Sequence, residues 1–226
     1  MDGWTFSAEE VAELQHRYPR LALVAQNCIE GILDLDAEYQ GTRVTDTYAI
    51  RIETRPLRIA PVVFETGGRI QQIATRLGIG DLTELHQNRD GTLCLCVAPE
   101  ERIKVPQGTR LLDFVNDLVV PYFFGLGVRS TGQPWPWGER GHGGLGVLEY
   151  HGETRQPITK EEAAELLNML RGDGFGNERW LEQLRGSSSS RPCPCGSGTE
   201  TALCHELAFR GAGFVAGELH RLGITP

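Results

Sequence analysis

The sequence has no run of about 18 consecutive apolar residues, the length a helix needs to cross a bilayer. It begins MDGWTFSAEEVAELQHRYP, without a basic stretch leading into an apolar one, so no secretory signal is expected. It carries no excess of positive charge. Twenty-two Lys and Arg stand against 30 Asp and Glu, a net charge of −8, which argues against nucleic acid as the main partner. There is no internal repeat, which removes solenoids and propellers. There is no Gly-rich loop between a strand and a helix, so no nucleotide-activating domain is expected. The expectation is a cytoplasmic protein without a membrane partner.

What is present is ordinary globular material. The 226 residues are 40% hydrophobic and 23% charged, enough for one main domain and a small appendage. Six cysteines in a reducing compartment read as metal ligands or reactive thiols rather than as a disulfide framework.

The order of elements predicts an α+β fold. Residues 7–18 read as a helix, with Ser7 and Glu10 forming a capping box and Pro19 as the stop. Strand-like alternation follows over Cys28–Tyr39, Asp46–Thr54 and Ala60–Thr66, punctuated by Gln40-Gly41 and Pro56. Thr92–Val97 reads as a fourth strand behind the Asp90-Gly91 turn, completing an antiparallel meander. Residues 109–124 read as an apolar helix capped by Thr109 and kinked or ended by Pro121. Residues 130–153, rich in Gly, Trp and Pro, read as a loop. Thr159–Leu170 reads as a capped helix that GDGFGN ends. The division predicted is a main domain over 1–185, a flexible GSSSS linker over 186–190 and a tail over 191–226. The last apolar stretch, AFRGAGFVAGELHRLG, reads as a short helix against the main domain or a partner.

The tail places Cys193, Cys195, Cys204 and His205 within 13 residues. Three thiolates and an imidazole satisfy a tetrahedral zinc ion, and Gly196, Ser197 and Gly198 let the backbone wrap closely. Residues 192–205 resemble the SEC-C motif, a zinc-binding tail known from the SecA translocation ATPase. Thr199 to Leu203 replace the Lys and aromatic usual there. Four protein ligands leave no open position, so the expected zinc is structural.

The segment LHQNRDGTLCLCV, residues 85–97, sets His86 and Asn88 beside Cys94. A thiol near an amide and an imidazole suits a nucleophile with an oxyanion donor. A cysteine on a strand is also a common core residue. The whole order from residue 7 to 170 resembles the ubiquitin-conjugating enzymes. That family has His-Pro-Asn ahead of Gly-x-Ile/Val-Cys-Leu. Here the matching residues are His86-Gln87-Asn88 and Gly91-Thr92-Leu93-Cys94-Leu95, with Gln87 in place of proline and a shorter interval before the cysteine. Cys94 fits that frame and Cys96 does not. The loop PWGERGHGGLGVLEYHG resembles one found in bacterial members and offers Glu139, His142 and Glu149 to orient or deprotonate an attacking lysine.

The resemblance implies a cysteine-dependent transferase. Cys94 would hold the C-terminus of a small or partner protein as a thioester, with Asn88 or His86 as helper and a separate activating enzyme. Bacterial relatives in antiphage islands imply a cyclic-nucleotide-synthesising defence enzyme as the conjugated partner. Two alternatives stand beside this reading. One is a non-catalytic adaptor of the same shape. The other is a cysteine hydrolase using Cys94 with His86 or His142.

Overall fold

A computed structural model describes residues 4–56, 58–171, 177–185, 192–195 and 197–226. The expected 186–190 linker lies outside the described residues. Two compact units form. One comprises residues 1–96 and 100–138, the other 97–99 and 139–226. The unit that contains the tail therefore takes in 97–99 and everything from Glu139 onward, rather than dividing at residue 185.

The first unit opens with α1 (Ala8–Arg17), and its capping box forms as read: the Glu10 amide donates to Ser7 Oγ, and the Ser7 amide donates to Glu10 Oε2. Four antiparallel strands follow in chain order: β1 (Leu21–Ala25), β2 (Cys28–Tyr39), β3 (Thr42–Glu53) and β4 (Val62–Glu65). The sheet is a meander, as expected, but its membership differs. Leu21–Ala25 supplies the first strand. Residues 92–97 form only isolated bridges, Thr92 to Phe64 and Leu93 to Gln87.

Alternation along β2 buries Ile29, Leu33 and Leu35 while Glu30, Asp34 and Asp36 stay exposed. On β3, Tyr48, Ile50 and Ile52 join the same core. After β4 come α2 (Arg69–Leu77) and a 3₁₀ turn over Leu82–Leu85. Then α3 covers Ala98–Lys104, and one long apolar helix runs from α4 (Leu111–Phe114) through a wide π-turn at Val115–Val119 into α5 (Val120–Arg129). Its N-cap is Arg110, not Thr109, and Pro121 does not end it. The wide turn directly before the proline removes the clash its ring would otherwise make with the preceding turn. The helix is long and apolar enough to cross a membrane, but 67% of that window is buried inside the protein, as in a core helix. The Phe123 ring lies 4.3 Å from that of Tyr48, on the sheet.

The second unit is helical: α6 (Gly144–Thr154), α7 (Lys160–Arg171), α8 (Asn177–Arg185), the single turn α9 (Thr201–Cys204) and α10 (Glu206–Leu222). Thr159 and Glu162 cap α7 reciprocally. Most of α6 lies in the stretch read as loop. Its glycines are used for contact: a Cβ on Gly152 would lie 2.0 Å from the Leu207 carbonyl oxygen, and one on Gly211 would lie 1.7 Å from that of Leu148. The backbones of α6 and α10 therefore touch. The expected short terminal helix is 17 residues long, and Ala208, Ala212, Val215 and Leu219 are buried in this unit's core.

The β1–β2 register rests on Gly31. Its φ is 146°, and a Cβ there would meet the Arg20 carbonyl oxygen at 1.9 Å. That oxygen already accepts the Ile32 amide at 3.1 Å. Gly31→Ala is expected to cost at least about 2 kcal/mol through clash and backbone strain. Gly41→Ala, at a left-handed turn with nothing nearby, is expected to cost only about 1 kcal/mol. Urea denaturation of the two variants checks the difference.

Candidate functional site

Residues 86–94 form a tight hairpin docked on the edge of β4. The Leu93 amide donates to the Val63 carbonyl at 2.8 Å, and the Cys94 amide donates to the His86 carbonyl at 2.7 Å. The tip closes through Gly91 N–H to Asn88 O at 2.9 Å, and Gly91 has φ 83°. Such a turn favours glycine because a Cβ is disfavoured at that angle. The Tyr122 hydroxyl, buried on α5, donates to the Leu85 carbonyl at 2.7 Å and fixes the base of the hairpin.

Side chains lock the tip. Asn88 Nδ2 donates to Thr92 Oγ1 at 3.0 Å, and that hydroxyl donates to Asp90 Oδ1 at 2.6 Å. The Thr92 hydroxyl in turn holds the Asp90 carboxyl below its ordinary value. Asn88 and Cys94 then line one open cleft, together with Arg58, Pro61, Cys96 and Glu101. Glu101 accepts the Ala60 amide at 3.1 Å and closes that side.

His86 takes a different place. Its backbone is left-handed, with φ 55°, and it ends the 3₁₀ turn. Its ring meets Trp135 edge-on at 4.8 Å, and it is not among the cleft-lining residues. It contributes the carbonyl that holds Cys94. Trp135 reaches in because Gly125 on α5 has no side chain: a Cβ there would lie 2.2 Å from the indole.

The Cys94 thiol is half-buried. Its Sγ lies 3.8 Å from the Cys96 carbonyl oxygen. Burial pushes it above its ordinary value, and the negative charge of Glu100 adds to this. Cys96 is pushed up to about 12, mainly by burial. Both thiols are thus protonated at neutral pH, and any nucleophilic role of Cys94 would require its ionisation first. Cys28, at the start of β2, is half-buried and also raised by burial.

The second constellation lies in the helical unit. Cys193, Cys195, Cys204 and His205 offer ligand atoms that all lie within 4.8 Å of one another. Sulfur atoms on a tetrahedral ion with arms of about 2.3 Å sit roughly 3.8 Å apart, and Cys195 Sγ to Cys204 Sγ is 3.5 Å. This group could hold a metal ion. A miniature hairpin shapes it: Pro192 bridges Glu200, and the Cys193 amide donates to the Thr199 carbonyl at 2.7 Å. Cys204 ends α9, and His205 immediately precedes α10. The Cys193 thiol is pushed up to about 12, chiefly by burial, whereas at Cys195 burial is outweighed by the hydrogen bonds from Ser197, Cys193 and Cys204 together, which bring the thiol to about 6.

Of the expected site residues, the structure brings Asn88 and Cys94 to one cleft and the four tail ligands to one cluster. His142 belongs to the second unit, as do Glu139 and Glu149. Glu149 faces His205 rather than an open loop, at 3.6 Å from Oε1 to Nδ1. The supporting parts played by Thr92, Tyr122 and Glu101 are not read from the sequence. Thr92 could have been found from the Asp-Gly-Thr turn, whereas Tyr122 and Glu101 carry no local signal. Comparison with protein-family models, curated proteins and solved structures finds no match for the chain.

Because the Cys94 thiol is raised, its alkylation by iodoacetamide is expected to be slow at pH 7 and to rise about tenfold per pH unit below its pKa. Glu100→Gln removes a negative charge and should speed labelling at fixed pH. Cys96 should label after Cys94. Peptide mass spectrometry of a labelling time course checks all three.

Proposed function

We propose that this chain is a ubiquitin-conjugating-like acyl carrier with a structural zinc ion in its C-terminal cluster. The observation that carries the reading is the sharing of one open cleft by Cys94 and Asn88, on a hairpin docked at the edge of an antiparallel meander. That arrangement supports the resemblance read from His86-Gln87-Asn88 and the Gly91–Leu95 segment.

The chemistry follows from those two side chains. The Cys94 thiolate attacks the activated carbonyl of a protein C-terminus, and the activating enzyme's thiolate leaves. A lysine amine of the target then attacks the Cys94 thioester. The tetrahedral oxyanion collapses, an amide forms, the Cys94 thiolate departs and the amine proton passes to solvent or a base. Asn88 Nδ2 has two N–H groups. One is committed to Thr92, and the other is suited to donate to the oxyanion. The Asn88–Thr92–Asp90 chain of hydrogen bonds holds the amide in place beforehand. The acyl donor is a small protein or a partner such as a cyclic-nucleotide-synthesising defence enzyme, delivered by a separate activating enzyme. Cys193, Cys195, Cys204 and His205 would hold the zinc, which supplies structural cross-linking of the tail and no chemistry at Cys94.

A non-catalytic adaptor is the second reading, and the raised, half-buried Cys94 thiol is the observation that favours it. Co-expression with the neighbouring genes separates the two. The carrier is expected to yield a reductant-labile adduct on non-reducing gels, absent from Cys94→Ala, whose added mass identifies the modifier. Partners that co-purify equally with wild type and Cys94→Ala, with no adduct, would establish the adaptor.

The zinc assignment has its own test. Native mass spectrometry is expected to show one zinc per chain. Cys204→Ser should lose it and lower Tm, and acidification should release it as thiolates and imidazole take up protons.

A further inference from the structure

We infer that Glu149 is a positioning residue of the metal cluster, fixing the His205 ring so that Nε2 faces the metal. The inference rests on the metal-binding reading of the four tail residues. Its starting point is a carboxylate anchored at one oxygen and facing the imidazole with the other: Oε2 accepts the Gly141 amide at 2.7 Å, and Oε1 lies 3.6 Å from His205 Nδ1. Only 15% of the Glu149 side chain is exposed, and 27% of the His205 side chain.

The pairing is set by rigid parts. Glu149 sits on α6, beside the fully buried Leu148. His205 stands at the N-terminus of α10. The two helices are locked backbone to backbone through Gly152 and Gly211. The Gly141 end is equally tight, since a Cβ on Gly146 would lie 2.0 Å from the Gly141 carbonyl oxygen. Trp180 closes one side of His205, with ring centroids 6.3 Å apart. A carboxylate opposite Nδ1 selects the tautomer protonated there. It therefore leaves the Nε2 lone pair for the metal. Through Gly141 the same carboxylate ties the cluster to the loop that carries His142.

Glu149→Gln tests this at constant volume. The amide oxygen can still accept from Gly141, but the NH₂ group would then face Nδ1 and favour the other tautomer, with its proton on Nε2. Zinc affinity of the full chain, measured by competition with a chromogenic chelator, is expected to fall about 10- to 100-fold. In a His205→Cys background the same substitution is expected to change affinity little, because no imidazole remains to be oriented. Unchanged affinity in E149Q, or an equal loss in the His205→Cys background, would overturn the inference. So would an equal drop in Tm for the metal-free and zinc-loaded protein, which would mark a general packing role. A wild-type chain that binds no zinc would overturn the cluster reading itself, and a wild-type chain that binds tightly while E149Q matches it would overturn only the role of Glu149.

Discussion

The unbroken pairing of β2 with β3, from Cys28↔Glu53 to Tyr39↔Thr42, is the constraint on which the first unit depends. Twelve residue pairs at a fixed register decide which face of the sheet is apolar, because a slip of one residue would turn Ile29, Leu33, Tyr48 and Ile50 outward. With that face set, α1 and the long apolar helix have one surface to cover. β4 adds only four residues to the outer side of β3, and this shortness has a consequence. The edge beyond it stays open, and the 86–94 hairpin docks there through single bridges instead of a full strand. A full ladder would have directed alternate side chains to fixed faces. A hairpin held by a few backbone hydrogen bonds can instead turn Asn88 and Cys94 into the same cleft.

The cleft balances two opposing demands. A nucleophilic thiol gains from a polar or positively charged setting, which lowers its pKa. Cys94 has the reverse, since burial and Glu100 both favour the protonated form. A thiol held protonated is protected from stray electrophiles and oxidants, because the thiolate is the reactive species. In the proposed carrier, reaction would then be selective for a partner that brings its own donors or positive charge, or that displaces Glu100. On this view the hairpin supplies position and the partner supplies activation, which fits the locking of Asn88 before any substrate arrives.

Much of this was legible in the sequence where local rules and tertiary packing agree. The Ser7–Glu10 box, the full extent of β2 and the four tail ligands are cases where a short pattern carries its own physical cause. The misreadings fall where tertiary context prevails. In β1 only Leu21 is buried and the other four residues are exposed, so no alternation marks it as a strand. Thr92–Val97 alternates like a strand, yet it has an edge to pair with for only two residues. Residues 144–154 contain glycines at 144, 146 and 152, and helix propensity counts strongly against them. The gain from pressing α6 onto α10 outweighs that cost. That Asn88 and Cys94 share a cleft is readable from their positions relative to the turn, which are local. The placement of the His86 ring is not, because Trp135, far along the chain, meets it.

The helical unit builds its core by a different rule. Its apolar residues are small at the closest approach, and α6 and α10 meet at Gly152 and Gly211 with no side chain between them. Such a contact is sensitive to axial sliding, since a shift of one turn would bring larger side chains into the gap. A metal ion held by the four tail residues would oppose that sliding, because Cys204 and His205 would fix the helix end while Cys193 and Cys195 anchor the hairpin before it. Glycine contact and metal cluster would then act on the same degree of freedom from two places along α10. The tail is in this sense part of the unit's framework and not an attachment to it.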